Sequence, residues 1–136
     1  MDTRDLFAET FKRWEMLLAA WNFYLLVAFA LVGLVAVVPR LRADRLALRL
    51  LSAGFLFFAW THLLGLLYIL KQWAVLAAML REKLPHTEVE RLALAGFVEA
   101  PEAVWVVPFH LLLDGFVLLA VWLLSRPPVP DDDPKR

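Results

Sequence analysis

Residues 16–38, 50–70 and 103–124 form three apolar runs of 21 to 23 residues, and they limit what this chain can fold into more than any other feature. A helix rises about 1.5 Å per residue, so about 20 residues cross a hydrocarbon core of about 30 Å. The first run, MLLAAWNFYLLVAFALVGLVAVV, holds no charge and one amide, Asn22. The second, LLSAGFLFFAWTHLLGLLYIL, is uncharged when His62 is neutral. The third, AVWVVPFHLLLDGFVLLAVWLL, carries His110 and Asp114. Leu and Ala dominate all three, and no ten-residue alternation of apolar and polar positions occurs, which points to helices rather than a barrel.

Composition closes off the aqueous alternative. The chain has 136 residues, of which 62% are hydrophobic, and its mean hydropathy is +0.66. A domain this small has too little interior to hide so much apolar surface, so lipid is its expected solvent. Basic and acidic residues balance at 14 each, which gives no footprint for nucleic acid. There is no cysteine, so disulfides and thiolate metal sites are excluded. The opening MDTRDLFAETFKRWE mixes acids and bases and does not read as a cleaved signal.

These features predict an all-α polytopic membrane protein with one transmembrane domain over 1–126 and a disordered, Pro-rich tail over 127–136. Phe7, Phe11, Trp14 and Leu18 recur at helical spacing, the pattern of an interfacial helix feeding the first span. Segment 39–49, PRLRADRLALR, reads as a tight Arg-rich turn, which marks a cytoplasmic side and sets the N-terminus outside and the C-terminus inside. Segment 71–102 is too polar to span. It is expected to form an outer helical hairpin, in which the second helix runs on and a capping box at Thr87 and Glu90 starts a short helix ending near Gly96. Trp14, Trp21 and Tyr24, with Tyr68, Trp73, Trp105 and Trp122, fall near span ends and read as an aromatic belt. Gly33 and Gly65 offer places for close helix packing.

Four polar side chains lie deeper. Counted from the outer ends of their spans, Asn22 is about 9 Å in, His110 about 10 Å, His62 about 12 Å and Asp114 about 16 Å. His110 and Asp114 are four residues apart and share a helix face. A carboxylate near the bilayer centre costs about 2.5–3.5 kcal/mol, so Asp114 must be neutral, paired or wetted. Asn22, His62, His110 and Asp114 are therefore expected to meet as an intramembrane polar cluster, with the Trp60 indole as a further donor. Pro108, one turn below Val104, frees a backbone carbonyl near it.

Three functions are compatible with such a cluster. The one adopted is a non-catalytic subunit or homo-oligomeric membrane module in which hydrogen bonds hold the helices together. Its partners would be the bilayer and further copies or a larger membrane complex, with no cofactor and no metal. A second is haem b held between His62 and His110, an arrangement that resembles small cytochrome b-type membrane anchors but shares with them only two histidines on neighbouring helices. A third is proton or ion conduction through an oligomer using Asp114. No phosphate loop, H-E-x-x-H or G-x-S-x-G motif suggests an enzyme.

Overall fold

The computed structural model describes residues 2–83 and 102–126. Among them the regular structure is entirely helical: α1 (Thr3–Val37), α2 (Pro39–Ala43), α3 (Arg45–Lys83) and α4 (Ala103–Leu124). Three of the four, α1, α3 and α4, are long and apolar enough to cross a membrane. Between 22% and 33% of the residues in their most apolar stretches are buried within the chain. The remainder present Phe29, Phe57, Trp105 and Phe116 outward, a surface that water would not tolerate and acyl chains would.

The buried positions have a regular rhythm. On α3 they are Phe55, Ala59, Leu63, Leu66, Leu70, Trp73, Ala77 and Leu80, alternating steps of three and four after the first turn. On α1, Leu17, Tyr24, Ala28, Leu31 and Val35 follow steps of seven, four, three and four. This 3.5-residue repeat is the seam along which two helices stay in contact over many turns. Ala28 and Ala59 fall in the same core cluster as Tyr24 and Phe55, so small residues sit beside large ones where α1, α3 and α4 meet.

Helix ends follow local chemistry. Asp2 and Asp5 form a capping box that starts α1. Pro39 occupies the first turn of α2, where its missing N–H is not needed. Asp44 then accepts from Leu46 N at 2.9 Å and Ala47 N at 3.0 Å and starts α3. The Arg-rich turn is thus a five-residue helix and a cap, and α3 begins at Arg45, before the apolar run itself.

Several expectations change. The N-terminal amphipathic stretch is no separate interfacial helix: α1 is continuous from Thr3. At 35 and 39 residues, α1 and α3 are about 52 and 58 Å long, about 22 and 28 Å beyond a bilayer core of about 30 Å. The excess lies at one end, where Leu6 of α1 packs against Leu80 with Leu76 of α3, so the two overhangs cover each other rather than lie on lipid. The expected continuation of the second helix beyond residue 71 is present as far as Lys83. The Thr87 capping box, Gly96 and the 127–136 tail lie outside the described residues.

The aromatic belt is also thinner than the sequence suggests. Tyr24 and Trp73 are buried in the core, whereas Tyr68, Trp105 and Trp122 face outward. The glycines do not mediate close packing, since a Cβ built on Gly33 or Gly65 meets nothing within 4 Å.

Because the seam leaves Ala59 only 2% exposed, Ala59→Leu should force the helices apart and cost about 1–3 kcal/mol, read as a lower unfolding midpoint in detergent. Gly65→Ala, with open space around it, should instead raise stability by up to about 1 kcal/mol.

Candidate functional site

The seam places one polar turn from each long helix at a common level. Ala20 and Tyr24 are four residues apart on α1, and His110 and Asp114 are four apart on α4, so each pair shares one face. His62 on α3 faces both. The groups form an unbroken chain. Tyr24 Oη donates to Asp114 Oδ1 at 2.6 Å. Asp114 Oδ2 lies 3.0 Å from His110 Nδ1. His110 Nε2 lies 3.1 Å from His62 Nδ1. His62 Nε2 lies 3.0 Å from the carbonyl oxygen of Ala20, which brings the chain back to α1 one turn from where it started.

Three of the four side chains are buried. Tyr24 and His110 are fully enclosed, Asp114 is 8% exposed and His62 is half-buried. Aromatic rings wall the chain: Phe58 stacks parallel to Tyr24 at 6.2 Å, and Trp21 meets His62 and Phe109 edge-on. Hydrogen bonds in such a low-dielectric enclosure are strengthened when complete and costly when one member is unmatched.

The donors and acceptors fix the proton count. The Ala20 oxygen can only accept, so His62 Nε2 carries a proton. With His62 neutral, its Nδ1 accepts and His110 Nε2 donates. With His110 also neutral, its Nδ1 accepts and Asp114 donates as a carboxylic acid, leaving Oδ1 for the Tyr24 hydroxyl. Moving the Asp114 proton to His110, and then one from His110 to His62, gives two further arrangements that satisfy every bond. All three hold three exchangeable protons on Asp114, His110 and His62 and have a formal net charge of zero. One proton fewer sets two acceptors face to face; one more sets two donors face to face. A net-neutral cluster is also the form that a hydrocarbon environment penalises least.

The structure places His62, His110 and Asp114 in one hydrogen-bonded chain and does not bring Asn22 or Trp60 to it. Asn22 is exposed, because it lies two residues, or about 200° of helical turn, from both Ala20 and Tyr24. Trp60, two residues before His62, is 60% exposed for the same reason. Tyr24 takes the place expected for Asn22. Its signal was present in the sequence: eight residues into the first run, it lies at about the depth of His62. The Ala20 carbonyl had no signal, since a backbone acceptor has no letter in the sequence. Pro108 sits inside α4 on an exposed face, two residues before His110. Among the described residues no group of three or more His, Cys, Asp or Glu side chains is arranged to hold a metal ion.

Comparison with known protein families, with curated proteins and with solved structures finds no match to the chain.

The proton count gives a sharp contrast between variants. Asp114→Asn should hold the network, because its Nδ2–H can donate to His110 and its Oδ1 can accept from Tyr24; the expected loss is under about 1 kcal/mol. Asp114→Ala should cost about 2–4 kcal/mol by stranding both the Tyr24 hydroxyl and His110 Nδ1. Chemical or thermal unfolding in detergent would read the difference, and equal losses in the two variants would contradict the assigned bonding.

Proposed function

We propose that the protein is a small, non-catalytic membrane module, working as a subunit of a larger membrane assembly or as a self-associating unit. In this reading the Tyr24–Asp114–His110–His62 chain is a clasp that fixes the register of the three long helices. The observation that carries it is the closure of the chain on the Ala20 carbonyl. A network that returns to the helix it left binds α1, α3 and α4 to one another and leaves no polar end pointing along the membrane normal.

Dimensions favour a clasp over a conducting path. Ala20 to Tyr24 and His110 to Asp114 each cover four residues, about 6 Å along a helix, against about 30 Å of hydrocarbon. Proton shifts within the chain interconvert its three arrangements without net transport. A haem between His62 and His110 would have to push apart nitrogens that are 3.1 Å from each other and break the hydrogen bond between them. The wide apolar surface left on all three helices supports the module reading, because lipid or neighbouring helices must cover it.

The test compares wild type with Tyr24→Phe, His62→Ala, His110→Ala, Asp114→Ala and Asp114→Asn. The clasp predicts that the first four lower the unfolding midpoint or shift the distribution of oligomers in detergent, while Asp114→Asn does neither. Tyr24→Phe, which removes one bond, should cost about 1–2 kcal/mol. A Soret band lost in the histidine variants would replace this reading with haem binding. A proton flux in liposomes abolished by Asp114→Asn would replace it with conduction.

A further inference from the structure

At the end where α1 passes through α2 into α3, the described residues enclose a half-open cleft of about 890 Å³. It is lined by Arg42 of α2, Arg45 and Arg49 of α3, and Arg126 just past α4, with Pro39, Leu48 and Trp122 among its apolar walls. We propose that this cleft binds the phosphate of an anionic phospholipid headgroup. The inference needs the three helices to span a bilayer and is independent of the polar clasp.

Four features support it. First, Arg42, Arg45 and Arg49 lie close together in the chain across the α2–α3 junction, and the fold brings Arg126, just past α4 and far away in sequence, to the same cleft. Among the described residues none of the four is ion-paired with a carboxylate. The nearby carboxylate of Asp44 is engaged in capping α3. Second, the cleft holds charge beyond what helix ends need. Arg45 stands in the first turn of α3, where the helix dipole is already positive and a cation gains nothing from it. Third, Arg126 is held in place: its guanidinium carbon lies 3.6 Å from the centre of the Trp122 ring. Fourth, the setting suits a lipid. The cleft lies where α1 and α4 end, at headgroup depth for spanning helices, and the exposed Leu46, Leu50 and Leu123 nearby offer acyl chains an apolar path. Guanidinium forks match phosphate oxygens in pairs, and basic clefts between membrane helices recognise anionic headgroups on these terms. The same phosphate chemistry could be met by a free anion, so the test separates the two.

The full chain is reconstituted in nanodiscs of phosphatidylcholine doped with phosphatidylglycerol. Native mass spectrometry then reads which lipids remain bound. The expected result is selective retention of phosphatidylglycerol, reduced about tenfold or more in Arg42→Gln/Arg45→Gln/Arg126→Gln. The matching triple Lys variant should fold like wild type and retain an intermediate amount, because a point charge keeps the attraction and loses the fork. Equal retention of both lipids, or no change in the Gln variant while its helicity and elution are native, overturns the proposal. Equal retention by Lys and Arg would reduce the cleft to diffuse surface charge and also overturns it. Displacement of the lipid by excess inorganic phosphate would assign the cleft to free anions instead.

Discussion

The constraint on which this structure depends is that a buried polar group in a lipid-soluble chain must find its partner within the protein. Water is not there to solvate Asp114, and no Lys or Arg lies in the same apolar run. The solution is a chain of neutral-capable groups drawn from α1, α3 and α4, each of which is incomplete without the next. Apolar packing alone would leave the helices free to slide or rotate, since one Leu-rich face resembles another and lipid competes equally for both. Three directional bonds between helices, linked through the His110–Asp114 contact within α4, oppose that freedom. The apolar seam brings α1, α3 and α4 together, and the polar turn hydrogen-bonds them to one another at one level.

The same reasoning explains why the site is small. A longer buried polar path would need more partners at each step, and every unmatched group would cost about 1–3 kcal/mol. A loop confined to one helical turn needs only three exchangeable protons and carries no net charge. Aromatic rings then complete the enclosure, with Phe55 and Phe58 of α3 on one side and Trp21 and Phe109 on another. Proton position inside the loop can vary among three arrangements while its outer surface stays apolar and unchanged.

Sequence reasoning goes furthest where hydrocarbon imposes length and polarity. The three spans, the pairing of His110 with Asp114 and the inclusion of His62 all follow from run length, depth and helical spacing. It fails where a residue's face decides the matter. In a run where nearly every position is apolar, the 3.5-residue seam is hidden, because Leu faces lipid and core alike. Asn22 and Tyr24 differ by two positions, and only the seam tells that Tyr24 points inward and Asn22 outward. Tyr24 and Trp73 have the ring chemistry of interfacial residues, but burial against α3 and α1 overrides it. The break expected between an interfacial N-terminal helix and the first span is absent for a related reason. Nothing between Glu15 and Leu18 stops a helix, and the α3 overhang supplies the cover that the membrane surface would otherwise have given.

The polarity of the molecule along its long axis completes the physical picture. At one end, α1 and α3 overhang together with acidic and basic residues mixed: Glu9 and Arg13 pair across one turn at 3.7 Å. At the other end α2 and the start of α3 gather Arg40, Arg42, Arg45 and Arg49 with one acid, Asp44, whose carboxylate is engaged by the helix it caps. Mixed charge at one end and concentrated cations at the other make the two ends of the helical bundle electrostatically distinct. The hydrogen-bonded turn lies between these ends and links the three long helices to one another.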